Sequence, residues 1–96
     1  MKTLPADVVA YQRTKEFDQS TVPAGLLRSH TTKAGTWGRI CILEGSLHYR
    51  ILEPELESLV LTPDRDGVVE PEIAHEVKPI GSVRFYVEFL KREESP

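Results

Sequence analysis

The chain carries a single cysteine, Cys41, and a single tryptophan, Trp37. One thiol excludes an internal disulfide and a cysteine-rich zinc site, so neither device is available to hold a short chain together. Long apolar runs are also missing. The longest are a few residues, against the ~20 that a membrane-spanning helix requires. The opening segment MKTLPADVVAYQRTKEF has no stretch apolar enough for the core of a signal peptide. A reducing cytoplasm and no membrane partner are therefore expected. An excess of positive charge is absent too: twelve basic side chains are scattered among fifteen acidic ones, for a formal net charge of −3. That leaves no basic footprint for nucleic acid.

Catalytic signatures are equally scarce. No Ser/His/Asp or Cys/His arrangement is visible, and no glycine-rich nucleotide loop. Cys41 has no cation beside it in sequence to lower its pKa, so it reads as a buried, inert thiol. Helices have little room, because seven prolines and six glycines are spread along the chain.

What is present is strand pattern. At 96 residues the chain is one domain, 1–96, burying roughly 60–65% of its unfolded surface. Arg39–Leu43 is rich in β-branched and apolar residues, and Ser46–Leu52 alternates, with Leu47, Tyr49 and Ile51 on one face and His48 and Arg50 on the other. Glu44-Gly45-Ser46 between them reads as the bend of a β-hairpin. A further strand is expected over Leu56–Leu61, ending in the turn cluster Thr62–Gly67. Near the end Val83, Phe85, Val87 and Phe89 share one face, and Arg84, Tyr86 and Glu88 the other. The last residues, Lys91–Pro96, are charged and are expected to fray. Several short strands at this spacing point to an all-β sandwich or small barrel.

The segments Phe17…Thr21-Val22-Pro23, His30-Thr31-Thr32-Lys33-Ala34-Gly35-Thr36-Trp37-Gly38, Leu43-Glu44-Gly45 and Val69-Glu70-Pro71…His75 occur in that order. In these the chain resembles the TehB/YeaR-like cupin family, over roughly Leu4 to Leu90. Members occur as small stand-alone proteins and as the N-terminal domain of tellurite-resistance methyltransferases. The resemblance implies an antiparallel cupin-type β-barrel, that is, a double-stranded β-helix or jelly roll. It also implies a role in the response to tellurite or related oxyanions. With no methyltransferase part in the sequence, the chain is not expected to transfer methyl groups itself.

In cupin terms His30 stands at the first histidine of the first motif and Gly45 at its glycine, while Pro71 and His75 match the second motif. Thr32 replaces the second histidine, and Trp37 stands near the expected glutamate. The resemblance therefore implies a pocket built on His30 and His75. From the residues themselves, Trp37 between two glycines is a candidate wall, and the Thr32 hydroxyl and Glu88, on the polar face of the last strand, are candidates to complete its shell. His30 and His75 are the candidate ligands of a divalent metal (zinc, iron, manganese or nickel), although such a metal normally takes three or four protein ligands. Hydrogen bonding by two histidines in a metal-free polar pocket is the plainer alternative. For Trp37 the plainer reading is core packing, and for Arg39 and Arg84 it is solvated charge, with pairing to Glu88 or binding of an anion as the functional ones. Thr31–Gly35 offers hydroxyls and a lysine to an oxyanion, but it lacks phosphate-loop spacing and is a weak signal.

Three functions are in contention. One is a domain binding a small molecule, anion or metal through the two-histidine pocket. Another is a metal-dependent oxygenase or isomerase. The third is a non-catalytic homodimer paired through the stripe Val83, Phe85, Val87, Phe89.

Overall fold

In a computed structural model describing residues 1–93, the chain forms six strands and one short 3-10 turn. The strands are β1 (Val8–Arg13), β2 (Phe17–Asp18), β3 (Trp37–Ile51), β4 (Glu57–Leu61), β5 (Gly67–Val69) and β6 (His75–Arg92), and the 3-10 turn covers Ala24–Leu27. All pairings are antiparallel, in one sheet ordered β1-β6-β3-β4, with β2 added beside β6 and β5 beside β3. The all-β class expected from the sequence is what forms. The sheet is not closed: β1 and β4 are its edges.

The spine is the long pair β3–β6, in register from Trp37↔Leu90 to Ile51↔His75. Two irregularities bend it in the middle. Leu43 is an extra residue on β3, between the pairs Ile42↔Phe85 and Glu44↔Arg84, and Gly81-Ser82 are extra on β6, between Gly45↔Val83 and Ser46↔Ile80. An extra residue moves every later side chain to the opposite face, because strand side chains alternate with period two. Before the bulge Ile40 and Ile42 point into the core; after it Leu47, Tyr49 and Ile51 do. The two extra residues on β6 preserve its parity, so Val77, Val83, Phe85 and Val87 all face inward. One core cluster thus gathers residues from both halves of the bent pair.

This geometry corrects one expectation. Glu44-Gly45-Ser46 does not turn the chain; β3 runs through it as a 15-residue strand. Gly45 has φ +76, a conformation that suits a hairpin bend and a bulge alike. The real hairpin joins β3 to β4 through residues 52–56. The strand expected over Leu56–Leu61 is found at Glu57–Leu61. The turn after it forms too, with Thr62 and Arg65 exchanging backbone hydrogen bonds of 3.3 and 2.9 Å.

The C-terminal stripe has a different job from the one envisaged for a dimer. Val83, Phe85 and Val87 are buried in the protein's own core, with Phe89 packed against it. They are not available as a surface for a second copy. Phe17 of β2 lies opposite Phe85, ring centroids 5.7 Å apart, and seals this side of the core. Cys41 is buried on the other face of β3, and burial pushes its thiol pKa up. Of the expected frayed end, Lys91 and Arg92 belong to β6, and residues 94–96 lie outside the described residues.

Candidate functional site

The segment leading from the 3-10 turn to β3 runs past the start of β6, and there His30 and His75 meet. Their backbones form an antiparallel bridge, His30 N–H to His75 carbonyl at 2.8 Å and the reverse at 2.9 Å. That bridge sets the rings edge to face, with centroids 5.4 Å apart. Tyr49, across the sheet from Val77, brings its ring to 6.0 Å from His75.

His75 is only 4% exposed, the one buried polar or charged residue among the described residues. Its Nδ1 lies 3.1 Å from the carbonyl oxygen of Ile73. A carbonyl only accepts, so a neutral ring carries its proton on Nδ1 and keeps a lone pair on Nε2. The loop before it is held in an unusual shape. Glu72 adopts φ +62, and its N–H donates to the Thr32 carbonyl at 3.2 Å. Such a backbone persists only where its surroundings enforce it.

Both histidines line a cavity of about 230 Å³. Its walls are mostly apolar: Phe17, Leu26, Ile40, Val77, Phe85 and Val87 among them. Thr32 also reaches it, but its hydroxyl donates to the Thr36 carbonyl at 2.8 Å, inside a turn closed by Thr36 N–H to the Lys33 carbonyl at 3.0 Å. Gly35, at φ +77, makes that turn possible.

Of the five residues the sequence nominated, three therefore converge and two do not. Trp37 opens β3 opposite Leu90, half-buried, and does not line the cavity. Glu88 points away from it: it lies directly opposite Arg39 and forms an ion pair with that guanidinium. Arg84 pairs with Glu16 and Glu44 at 3.4 and 3.3 Å, all three exposed, an arrangement worth little to stability. Sequence reasoning missed most of the walls. Phe85 and Val87 were legible as one apolar face and Ile40 as part of an apolar strand, whereas Val77 was not singled out and Leu26 comes from a 3-10 turn that no periodicity announces.

The residues at the cavity do not fit a resident divalent metal. Among the described residues no group of three or more His, Cys, Asp or Glu side chains is placed to hold an ion. Two imidazoles alone fall short of the three or four protein ligands such centres use.

Electrostatics at His75 give a testable result. Burial lowers its pKa from the ordinary 6.5, the hydrogen bond to Ile73 opposes this, and neighbouring His30 lowers it further. The folded protein then binds this proton less readily than the unfolded chain. The stability that goes with neutral His75 is complete above about pH 6.5 and is lost as the pH falls through the lowered folded value. The urea midpoint should therefore drop between pH 7.5 and 5.5, and His75→Gln should flatten that drop. Asp18, whose carboxyl is held low chiefly by the Ser20 hydroxyl and amide, acts only at more acidic pH. A midpoint with the same pH profile in His75→Gln would refute the assignment.

Comparison with known proteins identifies the lineage. The family model described as the TehB-like domain matches residues 12–87, more than half of the chain. The chain belongs to the TehB-like domain family. A curated relative from Haemophilus influenzae, named a probable S-adenosyl-L-methionine-dependent methyltransferase TehB, is 26% identical over 78 residues, spanning 77% of this chain and 27% of that protein. The crystal structure of TehB from Haemophilus influenzae superposes with a TM-score of 0.83 at 23% identity, over 91% of this chain and 32% of that one. The crystal structure of a protein from Escherichia coli K12 gives a TM-score of 0.87 at 20% identity, over 98% of this chain and 100% of the other. At these identities the two structures share the fold. This TehB-like chain spans about a quarter to a third of the Haemophilus protein. No helix among the described residues is long and apolar enough to cross a membrane.

Proposed function

We propose that this TehB-like domain is a ligand-binding module whose cavity receives one small molecule at the His30–His75 rim. One observation carries the reading: an apolar cavity of about 230 Å³ with two imidazoles meeting at one place in its wall. A mostly apolar hollow with a few convergent polar groups is the usual form of a small-molecule site. The kinship with a protein named as a probable methyltransferase supports a role beside methyl transfer. In that role the domain captures or senses a small molecule rather than performing the transfer. The tellurite and oxyanion response implied by the family resemblance is the physiological setting of that proposal. No observation favours the oxygenase or isomerase alternative.

A cavity-filled variant tests it. Leu26 lines the cavity from the 3-10 turn and is half-buried, so Leu26→Trp should fill the space while leaving the sheet intact. Across a panel of small neutral and anionic compounds, those that bind should raise the Tm of the natural protein by a few degrees. Leu26→Trp, folded by circular dichroism, should show no rise. If no compound separates the two proteins, the ligand-binding reading fails. A stoichiometric metal in elemental analysis of untagged protein would overturn its metal-free form.

A further inference from the structure

The chemistry of the cavity narrows what it can hold, and this step rests on the ligand-binding reading above. None of the lining residues is Lys, Arg, Asp or Glu. Its two hydroxyls are already committed. Thr32 donates to the Thr36 carbonyl at 2.8 Å, while Thr14 donates to the Lys15 carbonyl at 2.8 Å and accepts from Val87 N–H at 3.0 Å. The backbone N–H groups of both histidines are spent on each other's carbonyls. His75 Nδ1 is engaged by Ile73 at 3.1 Å. What remains on His75 is Nε2, a lone pair that accepts.

An oxyanion entering this space would give up its water and meet no lysine or arginine among the lining residues. Its full charge would face walls that are mostly aliphatic and aromatic. Burying a charge with so little compensation is strongly unfavourable. A neutral molecule with an apolar body meets the opposite situation, since its body replaces water along the phenylalanine and aliphatic walls and one donor satisfies Nε2. Size agrees. An engineered cavity of ~150 Å³ takes benzene, so about 230 Å³ suits a single substituted ring or a small fused pair.

The geometry points to a neutral, apolar-bodied ligand carrying one hydrogen-bond donor, of the phenol or indole class, seated against His75, with oxyanions excluded from the cavity. In a tellurite-linked setting the domain would then respond to an organic molecule and not to the oxyanion itself.

The test uses the full chain at pH 7.5, with phenol, toluene, anisole, sodium tellurite and sodium sulfate as probes, followed by methyl NMR. Phenol should shift the methyls of Leu26, Ile40, Val69, Val77 and Val87. It should also bind about fivefold more tightly than toluene, the increment of one ordinary hydrogen bond. His75→Leu should abolish that preference while toluene still binds. Should His75→Leu fail to fold, anisole gives the same reading on the natural protein, because it keeps ring and oxygen but lacks the donor. Anisole should then bind like toluene. Tellurite or sulfate shifting the same methyls as strongly as phenol would overturn this inference and leave the ligand-binding reading standing. If phenol, toluene and the anions all leave these methyls unmoved, both fall. Equal binding of phenol and anisole would sink the assignment to His75 alone.

Discussion

Gly45→Ala is expected to be the most damaging single methyl that can be added to this protein. At φ +76, Gly45 occupies a conformation that costs an L-residue roughly 1–2 kcal/mol. The larger penalty is contact. A Cβ built there would lie 2.1 Å from the Ser82 carbonyl oxygen and 3.1 Å from both the Ser82 carbonyl carbon and the Val83 Cα. These are backbone atoms of the facing strand at its own irregularity, so relief requires prising β3 from β6 where the spine bends. We expect a loss of about 3 kcal/mol or more, from left-handed strain plus the disruption typical of overpacking. For a domain of this size that is a Tm lower by ~12–24 °C, or no folded protein at 37 °C. Gly81→Ala is the control, because Gly81 has φ +61 but nothing within 4 Å of its would-be Cβ. It should lose only the left-handed cost, roughly 1–2 kcal/mol. Equal losses in thermal unfolding of the two variants would show that the close approach of the strands at Gly45 is not what demands glycine.

That glycine also marks where the sequence could be read and where it could not. Alternation grouped onto single faces the residues that prove to be buried on each side of the bend, Leu47, Tyr49 and Ile51 on one and Val83, Phe85 and Val87 on the other. Period two is a local signal, and burial of one face enforces it. The link between the two runs was misread because a positive-φ glycine serves a hairpin and a bulge with the same residue. The deciding fact is the partner: Gly45 lies opposite Val83, which local sequence does not contain. Likewise the stripe on β6 announced an apolar face but not whether it covers this chain's core or another's.

The site divides along the same line. His30 and His75 converge because a backbone bridge joins their segments, and the family resemblance had paired them. Thr32 reaches the cavity, yet its hydroxyl serves its own turn. Glu88 was a reasonable candidate by residue type, but its parity on β6 sends it to the outer face, where Arg39 waits in register. Carboxylate, imidazole and hydroxyl can be listed from sequence. Whether each still has an unspent donor or lone pair depends on neighbours distant along the chain.

Phe85→Ala ties the core to the cavity. Phe85 is fully buried, pairs across the sheet with Ile42 and Phe17, and forms part of the cavity wall. Truncating a phenylalanine in such a position removes its transfer free energy and leaves a void, together about 3–5 kcal/mol. Against a total stability of roughly 5–15 kcal/mol, this variant should be close to unfolding at 37 °C. The void would not be isolated, because it opens into space that already exists, so the hollow becomes larger and more apolar. Benzene should therefore restore part of the lost Tm in Phe85→Ala, and do so more strongly than in the natural protein, by binding the folded state alone. The same experiment separates core from interface. A residue of this chain's own core gives a Tm loss independent of protein concentration, whereas a dimer seam would give one that shrinks as concentration rises. A concentration-dependent loss with no recovery on benzene would place Phe85 between subunits and reverse the assignment of the stripe.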